Sequence, residues 1–256
     1  MTEYKNLKID KSKDIIKIFL DRPKNNVLNI EMIKEFNLVL EKIHLDKDLK
    51  CAVISGKGKS FCAGVEVADH KPEMVHEMIS VFNHIFELIN VIEIPVIAAV
   101  NGICLGGGME LAIACDIVIA SEKAKLGQPE VKLGFFPPYA ALRLPELVGQ
   151  ARAIEICTTG KIYTSKQSKC MGFVSETFSV DDFDDGVEKT IKEICMSSPL
   201  ILKMNKIAVK RHMGMKFSKA INLIGSYFLN TLMETQDTLV GIKSFEEKTI
   251  PQWKNK

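Results

Sequence analysis

Three short apolar runs, separated by segments of helical length, limit what this chain can fold into. They are residues 50–56 (KCAVISG), 94–102 (IPVIAAVNG) and 116–121 (DIVIAS). None alternates polar with apolar positions, so each reads as a strand buried on both faces. Helix-like segments at 72–92 and 108–115 lie between them, and this alternation predicts an α/β fold with a largely parallel sheet.

The flanking sequence extends this pattern. Residues 5–20 alternate polar and apolar and predict one or two early strands. The stretch DRPKNNVLN breaks the alternation, and a helix is expected from about residue 30 to 44, with Met32, Ile33, Phe36, Val39, Leu40 and Ile43 on one face. After about residue 145 the segments become helix-like, which predicts an α/β core over 1–195 and a helical region over 196–256. At 256 residues and 46% hydrophobic content the chain can bury a core of that size.

Charge excludes some functions. Lys and Arg total 34 against 32 Asp and Glu, a net charge of +2, so no global field favours nucleic acid or an anionic membrane. No apolar run approaches the ~20 residues of a membrane span, and the start MTEYKNLKID has no leader pattern, so a cytoplasmic location is expected. Seven scattered cysteines without CxxC spacing predict buried, reduced thiols. The stretch SGKGKS (55–60) imitates a phosphate loop, but the required earlier glycine position is Val53, and the motif fails.

Gly106, Gly107 and Gly108 stand between an apolar run and a helix start that carries Glu110. Free N–H groups and bare backbone at a helix N-terminus suit an anion or oxyanion, although a tight turn alone also explains three glycines. A second glycine-bearing loop, KSFCAGVEV (59–67), also follows a strand-like run and could supply another N–H to the same oxygen. Glu130, in LGQPEVKLG, returns after the run DIVIAS. Two carboxylates facing one water permit acid and base work, while either one taken alone reads as a solvated surface charge.

These residues have a family likeness. SFCAGVEV, IPVIAAVNGICLGGGMELAIACDIVIAS, LGQPEVKLGFFP and RLPELVGQARAIEICTTGKIYTSKQSKCMGFVSE together resemble the enoyl-CoA hydratase/isomerase (crotonase) superfamily over nearly the whole chain. The resemblance implies a spiral of ββα units with a helical C-terminal trimerisation portion. It implies an acyl-CoA substrate and no separate cofactor or metal, with coenzyme A part of the substrate itself. The Val65 and Gly107 N–H groups would form the oxyanion hole, and Glu110 and Glu130 match the two catalytic glutamates. Lys24 and Val27 would lie by the coenzyme, with Ala63, Gly64, Glu66 and Val67 around the substrate and its pantetheine. A homotrimer or dimer of trimers follows by the same resemblance, with Trp253 a candidate interface residue.

One segment departs from the family. Where typical hydratases carry a glycine-rich stretch, this chain has FFPPYAALRLP (135–145), which places Phe135, Phe136 and Tyr139 at the acyl end as a bulkier, stiffer wall. The same aromatics could be ordinary core or subunit-contact residues. Such a wall suits a compact or ring-shaped acyl group, and GVEVADHKPEMVHEMI is similar to the cyclohexa-1,5-diene-1-carbonyl-CoA hydratases of anaerobic aromatic degradation. Hydration of a cyclic dienoyl-CoA is therefore expected. General short-chain enoyl-CoA hydration and double-bond isomerisation are alternatives. RNA binding through 203–216 is a third, set against the reading of those lysines as the solvated face of a packed helix. His70 is expected to cap a helix starting near Pro72 rather than to act chemically.

Overall fold

A computed structural model describes residues 4–256; the first three residues of the stretch expected to lack a leader lie outside the described residues. The early alternation forms an antiparallel pair, β1 (Leu7–Lys11) and β2 (Ile15–Leu20). Helix α1 (Ile30–Leu45) follows, its first turn capped by the Asn29 side chain accepting from Met32 N–H. All six apolar positions expected on one face of α1 are buried.

The three apolar runs become β3 (Cys51–Gly56), β5 (Val96–Val100) and β7 (Ile117–Ser121). After each comes a second, three-residue strand: β4 (Ser60–Cys62), β6 (Ile103–Leu105) and β8 (Lys125–Gly127). The long strands pair in parallel in one sheet, ordered β1-β2-β3-β5-β7-β10, where β10 is Glu176–Phe178. The short strands form a second sheet, β4-β6-β8-β9, with β9 at Ile162–Thr164. Each turn of the chain thus adds one strand to each sheet and then a helix, which is a spiral of ββα units. The helices are α2 (Val75–Val91), α3 (Gly107–Ala114) and, after a 3-10 turn at Glu130–Leu133, α4 (Pro138–Val148).

Both faces of the large sheet are covered. One packs into the main core with α1, α2 and α3; the other carries Cys51, Val53, Ile97, Ala99 and Ile119 against Phe183, Val187 and Ile191. Those last three residues belong to α7 (Phe183–Cys195), which follows α5 (Gln150–Thr159) and α6 (Ser165–Met171). Every residue of α3 is buried, Glu110 included, so this helix runs through the interior rather than along a surface.

The last region holds α8 (Pro199–Lys210), α9 (Phe217–Tyr227), a π-helical segment (Phe228–Leu232) and α10 (Gln236–Glu247). The basic stretch expected to be solvated is partly turned inward. Lys203 donates to Lys47 O (2.9 Å), while Lys206 donates to Ile94 O (2.8 Å) and pairs with Asp116 (2.6 Å). Trp253 is held within its own chain, its indole N–H donating to Met196 O (2.8 Å). No helix among the described residues is long and apolar enough to cross a membrane.

Three sequence expectations are corrected. Helix α2 begins at Val75, three residues later than expected, and its first turn has no side-chain cap. His70 instead ends a separate 3-10 turn, Val67–His70. Of the cysteines, Cys51, Cys62, Cys104 and Cys115 are buried, but Cys170 is exposed. Burial pushes the Cys51 and Cys62 thiols up to about 12, which keeps them protonated and inert.

Candidate active site

The two glycine-bearing loops meet. Leu28 and Val65 form an isolated parallel bridge in which Leu28 N–H donates to Gly64 O and Glu66 N–H to Leu28 O, both at 2.8 Å. In a parallel pairing those bonds use the groups on either side of Val65 and leave its own N–H turned away from Leu28. Gly107 opens α3, so its N–H has no intrahelical acceptor. A Cβ on Gly107 would come within 2.6 Å of the Val65 side chain, so the two residues are packed closely together.

The glycines serve that approach. A Cβ on Gly108 would lie 2.2 Å from the Cys62 carbonyl oxygen, so only bare backbone lets α3 close on the neighbouring loop. Gly106 has φ of 54°, and a Cβ there would lie 2.7 Å from Glu130 Oε1. Tight packing, one of the two readings the sequence allowed for these glycines, is present.

Glu110, in the first turn of α3, is 2% exposed. Its Oε1 accepts from Tyr139 N–H (2.7 Å) and Ala140 N–H (2.9 Å), the first turn of α4. The prolines of the departing segment explain this arrangement: Pro138 takes the first helical position, where its missing N–H costs nothing, and the next two N–H groups meet the carboxylate. Burial raises Glu110 to about 7; the Ala140 N–H opposes the rise, the nearby Glu130 charge adds to it, and the Tyr139 N–H opposes it.

Glu130 opens the 3-10 turn after β8 and is likewise raised to about 7 by burial. Beneath it lies Gln128, fully buried. In the amide orientation that satisfies both of its ends, Gln128 donates to Glu130 Oε1 and Oε2 at 3.0 Å each.

These groups line one cavity of about 350 Å³. Of the residues expected at the site, Ala63, Gly64, Val65, Val67, Gly107, Glu110, Glu130, Phe135 and Phe136 line it. Val67 and Phe136 are 57% and 72% exposed, which puts them at the mouth. Four expected residues lie elsewhere. Lys24 is exposed on a turn where Lys24, Asn25 and Asn26 all have positive φ. The Val27 carbonyl accepts from Arg22, whose guanidinium also pairs with Glu66 at 3.2 Å. Tyr139 gives the site only its backbone: its ring stacks on Phe86 with centroids 3.8 Å apart and lines a second cavity of about 650 Å³.

Sequence reasoning missed Gln128 and the α4 N–H groups. The Gln-Pro-Glu order was visible, but nothing in it distinguishes a buried amide from a turn residue. The pair of prolines before Tyr139 was the available signal for a helix start.

The chain is 32% identical to the crotonyl-CoA hydratase of Syntrophomonas wolfei, with 96% of each chain covered. It is 31% identical to the short-chain-enoyl-CoA hydratase of Clostridium acetobutylicum over 99% of this chain and all of that one. The crystal structure of an enoyl-CoA hydratase from Bacillus anthracis superposes with a TM-score of 0.91 at 28% identity, covering 98% of this chain and all of that one. The profile of the enoyl-CoA hydratase/isomerase family matches residues 10–256, and the chain belongs to that family.

Proposed function

We propose that this protein is a hydro-lyase that adds water to a conjugated enoyl-CoA, with a compact, cyclic dienoyl group such as cyclohexa-1,5-diene-1-carbonyl-CoA as its preferred acyl part. The observation that carries the reaction is one cavity shared by a buried carboxyl, Glu110, a half-buried one, Glu130, and the residues Val65 and Gly107. A thioester oxygen accepting from Val65 and Gly107 gains negative charge as water adds. The donors therefore bind the enolate-like transition state more strongly than the substrate. Loss of one such donor raises the barrier by roughly 3–4 kcal/mol.

Glu110 and Glu130 hold the water between them. Its oxygen bonds to the electron-poor carbon, its proton passes to the ionised carboxylate, and the protonated partner delivers a proton to carbon. Two carboxyls both raised to about 7 suit a pair that carries one proton near neutrality. The cyclic acyl group is supported by the bulky mouth at Phe135 and Phe136 and by the likeness of residues 64–79 to ring-specific hydratases. Membership of the family and the two hydratase relatives support the hydration chemistry.

The test is incubation with crotonyl-CoA and with cyclohexa-1,5-diene-1-carbonyl-CoA in oxygen-18 water, beside Glu110→Gln and Glu130→Gln variants, read by mass spectrometry. Label in the cyclic product, lost in both variants, is the expected result. Faster labelling of crotonyl-CoA would replace the cyclic acyl group with a short chain. A double-bond shift without label would replace hydration with isomerisation.

A further inference from the structure

Among the residues lining the catalytic cavity, only Glu110, Glu130 and His70 have polar side chains. The glutamates have partners and a task; His70 has half of each. Its Nδ1 lies 3.0 Å from the Glu66 carbonyl oxygen. A carbonyl can only accept, so Nδ1 carries the proton and, in the neutral ring, Nε2 presents a lone pair. No protein group among the described residues bonds to Nε2. The ring is fixed by stacking on Phe135, with centroids 4.8 Å apart and an interplanar angle of 26°.

The position of this pair identifies the part of the substrate it meets. Phe135 closes the turn that carries Glu130, its N–H donating to Glu130 O at 3.1 Å. His70 and Phe135 therefore flank the cavity on the carboxylate side, where the acyl group lies if the thioester oxygen is at Val65 and Gly107. Around them the wall is apolar: Val67, Val75, Ile79 and Leu133. A wholly hydrocarbon acyl group would leave the Nε2 lone pair without a partner, whereas an O–H donor satisfies it.

We infer that His70 is a specificity-determining residue that accepts a hydrogen bond from a hydroxyl on the acyl group, distinct from the oxygen handled by the two glutamates. This refines the cyclic reading: among compact ring thioesters, the contact favours a hydroxylated ring over the plain one. This rests on the reading of the cavity as an acyl-CoA site, but not on the reaction performed there. Phe135 supplies the flat apolar surface and His70 the single directional contact.

Binding of unreactive, saturated thioesters separates the two readings. Affinities of cyclohexanecarbonyl-CoA and of its 3-hydroxy and 4-hydroxy derivatives would be measured by titration calorimetry with the wild type, His70→Phe and His70→Asn. The expected result is that a hydroxylated ring binds about tenfold more tightly than the plain ring. His70→Phe should abolish that ratio, and His70→Asn, which retains an acceptor, should restore part of it. Equal affinities in the wild type, or a preference that survives His70→Phe, overturns the inference. Failure of the labelling experiment with this selectivity intact removes the hydratase reading alone, and no binding of any thioester removes both.

Discussion

Glu130 Oε1 occupies the space beside Gly106 so closely that a methyl group there would come within 2.7 Å of it. The acid and the first glycine of the triplet therefore fix each other's position. Gly106→Ala should push the Glu130 carboxylate off the two Gln128 N–H contacts and also strain a residue with φ of 54°. We expect kcat to fall about 100-fold or more while the fold loses only ~1–2 kcal/mol. Steady-state kinetics with denaturant titration checks both numbers, and a loss of stability without loss of kcat would contradict the account.

Stability should depend on pH through Glu110. Its folded-state value of about 7 lies above the ordinary 4.5, so the folded protein binds the proton more tightly than the unfolded chain. The resulting stabilisation is fully present below about pH 4.5 and is lost as pH rises through 7. For this buried group the whole change is about 3 kcal/mol. Glu110→Gln keeps an acceptor for the Tyr139 and Ala140 N–H groups but cannot ionise. Urea unfolding should show the variant more stable than wild type at pH 8, with the difference shrinking at pH 5, although hydration activity is lost.

The turn beside the site depends on one amide. Asn26 is buried; its Nδ2 donates to Ser60 O (2.8 Å), Lys57 O (3.1 Å) and Phe61 O (3.2 Å), and its Oδ1 accepts from Arg22 N–H (3.0 Å). Its φ is 55°. Asn26→Ala should cost about 2–4 kcal/mol, combining lost bonds with backbone strain. Asn26→Gly loses the same bonds without the strain and should be milder by ~1 kcal/mol. Equal destabilisation by the two would remove the strain contribution.

The C-terminal region is tied to the core by charge. Asp116 Oδ2 accepts from Val96 N–H (2.8 Å) and pairs with Lys206, whose side chain is 8% exposed. Asp116→Ala would leave the buried Lys206 ammonium without its partner and should cost about 3–5 kcal/mol. Lys206→Met combined with Asp116→Asn should cost much less, because neither charge remains. Thermal unfolding of the single and double variants measures the coupling.

Much of this architecture is legible in the sequence where a segment is long enough to show a period. The three apolar runs became β3, β5 and β7, and the α1 apolar face was recognisable from its spacing. Strands β4, β6 and β8 have three residues each, too few for any periodicity, so the second sheet could not be read from them. At the site, Glu110 and Glu130 were legible through family resemblance, and the structure brings them to one cavity. Tyr139 was misplaced because an aromatic residue in a variable segment suggests a wall. Its backbone proved to be the part that reaches Glu110, and no residue type signals that. His70 went unrecognised as a cavity residue because its apparent role depended on a helix start that lies five residues beyond it.

The Gly108–Cys62 contact has a consequence for how such a protein can diversify. It locks residues 62–65 against 106–110, so the parts proposed to grip the carbonyl behave as a single casting. The surfaces proposed to meet the rest of the substrate, His70 to Ile79 and Leu133 to Phe136, are carried on separate stretches of chain. Exchange of those stretches changes the cargo and spares the engine, so mutational drift in substrate choice should concentrate there while the grip stays constant.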